Sequence, residues 1–176
     1  DDVEVSLLPA TTVTQTIELV EGWNWVSIGI AVEDPVEMFE MLTESLGENA
    51  TEIQAFEYMS EYFDGEWEGD LNDMGVTNEQ MYLINAVTDC TIELQGQPAI
   101  ASEYEIMLNP GWNWIGFPSV EPIAFADALA EFGEAEDEDE IQSQENSLEY
   151  YDGEWEGDLE VFEPGQGLLY YNSSDE

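Results

Sequence analysis

Apolar and polar residues alternate with a period of two over residues 3–7, 16–20 and 23–30, the pattern of half-buried strands whose side chains point to opposite faces by turns. Gly22 supplies the turn between the second and third. The period then lengthens. Asp34-Pro35-Val36-Glu37 combines an N-cap, a first-turn proline and a capping-box glutamate, and Met38, Phe39, Leu42 and Leu46 follow at helical spacing until Gly47 stops them. Past this helix, residues 53–63 and 67–71 flank Asp64-Gly65, a dipeptide that tolerates the positive φ angles of a tight hairpin. Residues 81–87 read as a closing strand.

The same order is then written again. Gly22-Trp23-Asn24-Trp25 recurs as Gly111-Trp112-Asn113-Trp114, an offset of 89 residues, and Asp64-Gly65-Glu66-Trp67-Glu68-Gly69-Asp70-Leu71 recurs as Asp152-Gly153-Glu154-Trp155-Glu156-Gly157-Asp158-Leu159. Val3-Glu4-Val5 with Pro9-Ala10 matches Ile92-Glu93-Leu94 with Pro98-Ala99 at an offset of 89, against 88 for the Asp-Gly run. A second helix is predicted after Glu121-Pro122, through Phe125, Leu129 and Phe132, and a closing strand at 168–172, entered through Pro164-Gly165-Gln166-Gly167. The expected fold is mainly β, a β-rich α+β chain of two tandem homologous units, residues 1–89 and 90–176. Each is an antiparallel, sandwich-like sheet module with one short helix.

Gly111-Trp112-Asn113-Trp114-Ile115-Gly116-Phe117-Pro118, a short helix, Ile141-Gln142-Ser143-Gln144, Tyr150, Trp155-Glu156-Gly157, Leu159 and Pro164-Gly165-Gln166-Gly167 form an ordered series. It resembles tandem modules of large bacterial surface proteins, over most of both units. The resemblance implies an extracellular, non-catalytic β-rich module and carries no functional residue over. Those modules often have lysine where this chain has Gln142 and Gln166.

Charge sharpens the picture. The chain has 43 Asp and Glu and no Lys, Arg or His, for a formal charge of −43. Histidine bases, lysine Schiff bases, arginine phosphate clamps and zinc–histidine sites are therefore excluded. So is nucleic acid as a partner, since its phosphates would meet an acidic field. A 43% apolar share is enough for a core, and no apolar run approaches the ~20 residues of a membrane helix. Asp1-Asp2-Val3 reads as a processed or truncated start. Cys90 is the single cysteine, so no internal disulfide forms.

The candidate chemistry is carboxylates and indoles. Asp64, Glu66, Glu68 and Asp70 alternate along a strand, which would put the last three on one face, and Asp152, Glu154, Glu156 and Asp158 repeat them. Clustered hard oxygens suit calcium, although no EF-hand spacing is present and charge runs are commonly solvated faces. The acidic run at 134–140 is expected to be an exposed loop that gathers cations diffusely. In Trp23-Asn24-Trp25 and Trp112-Asn113-Trp114 both indoles share a face, and their apolar neighbours place them in the core. Trp67 and Trp155, flanked by acids just after a turn, are the better platforms for a saccharide. Paired carboxylates can hydrolyse glycosides, but repeats this small leave no deep cleft, so no enzyme is expected.

Residues 81–87 run directly into 91–94, and these strands are expected to pair. Their free counterparts would be Val3, Val5 and Leu7 at one end and Leu168, Tyr170 and Asn172 at the other. Joined between molecules, these ends predict a head-to-tail filament with Cys90 near the contact. The expectation is a structural or adhesive protein, extracellular or at the cell surface. Its partners would be itself, divalent cations and, in the alternative carbohydrate-binding reading, glycans, with calcium the one cofactor considered.

Overall fold

The computed structural model describes residues 11–129 and 135–174. The predicted strand holding Val3, Val5 and Leu7 lies outside them, as do Phe132 and Glu134. With 42% strand and 16% helix the chain is mainly β, as its alternation predicts. No helix among the described residues is long and apolar enough to cross a membrane.

In chain order the first half contains β1 (Val13–Leu19), β2 (Gly22–Val26), α1 (Pro35–Leu46), β3 (Ala50–Gln54), β4 (Met59–Phe63), β5 (Glu66–Gly69), α2 (Leu71–Met74) and β6 (Tyr82–Ala86). The second contains β7 (Cys90–Gly96), β8 (Gly111–Ile115), β9 (Ile123–Ala124), α3 (Phe125–Ala128), β10 (Glu140–Gln142), β11 (Ser147–Tyr151), β12 (Glu154–Gly157), β13 (Val161–Phe162) and β14 (Leu168–Asn172). One antiparallel sheet has the order β2-β6-β3-β4-β5 and the other β8-β14-β10-β11-β12, the same path traced twice. Both hairpins turn at Asp-Gly, with φ of 51° and 94° at Asp64-Gly65 and 51° and 91° at Asp152-Gly153. Left-handed backbone at both central positions matches the twist of the flanking strands.

Helix α1 starts where the sequence predicts. Asp34 Oδ1 accepts from Val36 N at 2.9 Å and Glu37 N at 3.1 Å, satisfying two otherwise orphaned donors. Its buried stripe of Met38, Phe39, Leu42 and Leu46 joins Ile53, Ile84, Ile92 and Leu94 in one core. A second core gathers Phe117, Ile141, Leu148, Leu159, Leu168 and Tyr170. In the second half the helix is a single turn, α3.

Two strand pairings differ from the sequence reading. Strand β7 pairs with β1, Ile92 opposite Ile17 and Cys90 opposite Leu19, and not with its predecessor at 81–87. Strand β6 has no vacancy, because β2 and β3 occupy its two edges. Likewise β14 lies between β10 and β8, so Leu168, Tyr170 and Asn172 present no open edge for another molecule. The head-to-tail contact proposed for them has no place to form.

Candidate functional site

The Trp-Asn-Trp strands meet the opposite half of the molecule, and here the alternation has the reverse sense from the one expected. Asn24 is buried while Trp23 is 40% exposed and Trp112 43%. The cause is hydrogen bonding. Asn24 Oδ1 accepts from Val20 N at 3.0 Å and its amide donates to Val20 O and Gly22 O at 2.8 and 2.9 Å. Asn113 makes the same three bonds to Asn109 N, Asn109 O and Gly111 O. A side chain that satisfies both sides of a turn belongs under it, and that turns the indoles outward.

The free edges of β2 and β8 are covered reciprocally. Ser27 N donates to Gly165 O and Gly116 N donates to Glu79 O, both at 2.9 Å, and Ser27 and Gly116 are the same position in the two repeats. Gly167 N adds a bond to Trp25 O at 3.0 Å. Close approach of backbone is required: a Cβ on Gly29 would stand 2.1 Å from Ser119 O, and one on Gly116 2.1 Å from Asn78 O. Gln15, buried at the same seam, accepts from Gly29 N at 2.9 Å and leaves its Nε2 without a partner.

This junction forms two corresponding grooves. The first is lined by Ile17, Leu19, Asn24, Trp25 and Gly165, and Gln144 closes it by donating to Trp23 O and accepting from Trp25 N. The second is lined by Ile106, Met107, Trp112, Trp114 and Glu79. There the position matching Gln144 is Phe56, whose ring meets Trp114 edge-on at 5.8 Å. The second groove is thus the more aromatic, and both Phe56 and Met107 are largely exposed.

Trp67 and Trp155 are not open platforms. Trp67 packs against Tyr62 at 5.6 Å and Trp155 against Tyr150 at 5.2 Å, each partly buried on a core. In Glu-Trp-Glu the acids take the outward face, so the indole turns in. The carboxylates are also arranged differently from the expectation. Asp64 occupies the turn, and Asp70 has helical backbone at the start of α2, so neither continues the face of Glu66 and Glu68. Asp152 likewise sits in its turn, and Asp158 accepts from Ser147 N at 2.9 Å, which holds its carboxyl below the usual range.

Glutamates align across strands instead. Glu52, Glu61 and Glu68 stand directly opposite one another on β3, β4 and β5, and Glu140, Glu149 and Glu156 do so on β10, β11 and β12. Gln54 donates to Glu52 and Gln142 to Glu140. Glu66 and Glu154 lie outside these rungs, opposite Phe63 and Tyr151. Among the described residues no three carboxylates or thiols converge as a metal ion would require.

One acid of the run at 134–140 is inside the protein. Asp139, 3% exposed, accepts from Tyr170 Oη at 2.6 Å, from Ser173 N and Oγ at 2.8 Å, and from Glu136 N at 3.2 Å. Burial pushes its carboxyl up, but these donors together outweigh burial and hold it below the ordinary range. The same pairing, after burial itself, pushes Tyr170 well up. The Cys90 thiol is raised by burial and by neighbouring Asp89, so it stays protonated and a poor nucleophile.

No protein-family model, no curated protein and no solved structure matches this chain.

Proposed function

We propose that the chain is a non-catalytic structural or adhesive module, extracellular or at the cell surface, whose acidic faces require cations for screening. The observation that carries this reading is the pair of three-glutamate rungs in a protein without a basic side chain. Like charges directly opposite one another weaken a sheet unless mobile cations screen them. The rungs also leave the outermost strands β5 and β12 edged with charge, which discourages edge-to-edge aggregation. The module works in a cation-rich medium, with calcium and sodium as diffuse counterions.

Thermal unfolding across sodium chloride and calcium chloride tests this. The melting temperature should climb steeply between ~10 mM and ~1 M sodium chloride, a range over which the Debye length falls about tenfold, and millimolar calcium should add to it. A flat profile refutes the role. The exposed indoles Trp23 and Trp112 favour a second reading, in which the module stacks on saccharide rings. A glycan array with tryptophan fluorescence separates the two, because a purely structural module gives neither binding nor a spectral shift.

A further inference from the structure

Strand β1 takes its partner from across the boundary between the repeats, while the equivalent segment of the second repeat pairs with no strand among the described residues. At the 89-residue offset β1 corresponds to residues 102–108. Tyr104, Ile106 and Leu108 are half-buried there and Glu103, Glu105 and Met107 are exposed, the alternation of a strand with one face on a core. Leu108 packs on the second core. Yet among the described residues Glu105 to Leu108 make no backbone hydrogen bond. At the matching positions of β1, Gln15, Ile17 and Leu19 are fully buried, and β7 completes their layer with Ile92 and Leu94. Past β7 the chain stays docked on the first half: Ala31 N donates to Gln97 O at 2.8 Å and Ala99 N to Gly29 O at 2.7 Å.

The counterpart of that docking strand is present in the sequence. Val3-Glu4-Val5 and Pro9-Ala10 repeat Ile92-Glu93-Leu94 and Pro98-Ala99. We propose that residues 104–108 are the docking edge for residues 3–10 of the same chain, which add as a strand there as 92–99 add to β1. The register of β1 with β7 carries over to Val3 opposite Ile106, Glu4 opposite Glu105 and Val5 opposite Tyr104. The edge bonds of β2 and β8 are already reciprocal between the repeats, and this exchange makes the strand pairing reciprocal too.

Attachment in the same molecule follows from chain length. The link required from Ala10 to Val13 equals the link from Ala99 to Ser102, which already crosses the junction. A strand tethered this closely is present at roughly millimolar effective concentration and outcompetes a second copy in dilute solution. A like-charge contact is new here: where β1 has Thr16 opposite Glu93, the proposed pair sets Glu105 opposite Glu4. Like charges there make the clasp weak at low salt and tight at high salt. The inference goes beyond the screening role and stands or falls separately from it.

The test uses the full-length chain. Hydrogen exchange should show alternate amides within 104–108 slowed at least roughly tenfold relative to unstructured chain at high salt, with less protection at low salt. Val5→Asp should abolish that protection while leaving β1 amides protected. On a Cys90→Ser background, Glu4→Cys with Glu105→Cys should oxidise to a disulfide-linked monomer at a rate independent of protein concentration. Glu4→Cys with Glu68→Cys should not. Unprotected 104–108 amides at high salt, protection that survives Val5→Asp, or crosslinks that appear only as dimers and longer species would overturn the proposal.

Discussion

Replacing Glu61 by Gln removes the middle charge of a rung and should stabilise the protein. Glu61 lies opposite Glu52 on one side and Glu68 on the other. Directly opposed side chains on neighbouring strands are about 5 Å apart. Two unit charges at that distance repel by about 0.8 kcal/mol in water, so the two pairs sum to about 1.7 kcal/mol. These groups are exposed, and carboxylates that swing apart and attract counterions lower the total to about 1 kcal/mol at ~10 mM salt. At 1 M the Debye length is ~3 Å and about a fifth of the repulsion survives, so the gain should shrink to about 0.2–0.3 kcal/mol. For a chain of this size, ~1 kcal/mol is a rise of roughly 2–4 °C in melting temperature. Glu149→Gln in the other sheet should behave alike, because Glu149 lies between Glu140 and Glu156. Glu18→Gln is the control, since Glu18 faces Thr91. The measurement is thermal unfolding of all four proteins at both salt concentrations. An equal gain at low and high salt, or a Glu18 variant that gains as much as the rung variants, would refute the reasoning.

Gly29→Ala and Gly116→Ala should each cost about 1–3 kcal/mol in chemical denaturation, because the added methyl would meet a carbonyl oxygen of the other half. Asn24→Ala and Asn113→Ala should each cost about 2–3 kcal/mol by leaving turn donors and acceptors unpaired, and similar losses at both sites would mark a shared role. Gln142→Lys should raise the melting temperature at low salt and have little effect at high salt, since it puts an ammonium beside Glu140. Asp139 sets an acid limit: its folded carboxyl is held below the unfolded value of ~3.9, so its contribution is complete above that pH and disappears as pH falls through the lower folded value. Wild type should therefore lose its stability advantage over Asp139→Asn progressively as the pH falls below about 4 in an acid titration followed by circular dichroism.

Local signals fixed much of this architecture in advance. Asp34 and Pro35 start α1 as their chemistry requires, the two Asp-Gly pairs turn hairpins, and period-two alternation locates the strands. Alternation gives two faces without saying which one is buried. In Trp23-Asn24-Trp25 the choice depended on the backbone groups of Val20 and Gly22 available to Asn24, a fact of three dimensions that reversed the hydrophobic expectation. Trp67 was likewise turned inward because Tyr62, across the strand, provided a surface to pack on.

Register between distant strands has no local signature. A run such as Glu66-Trp67-Glu68 shows acids along one strand, whereas the rung of Glu52, Glu61 and Glu68 exists only once three strands are aligned. Asp139 reads as one more acid in a run until Tyr170 and Ser173 arrive from β14 and the residues after it to solvate the carboxylate. The pairing of β7 with β1 follows the same logic. Strands β2 and β3 occupy both edges of β6, and the apolar face of Ile17 and Leu19 is what remains for β7 to cover. The sequence by itself determined the start of α1, the two Asp-Gly turns and most of the strands, because those depend on nearest neighbours; it did not show that the run 53–63 turns between β3 and β4, that Leu71 begins α2 or that β2 stops at Val26. Tertiary structure alone decided which faces were buried and which strands met, because those depend on competition for edges and hydrogen-bond partners across the whole chain.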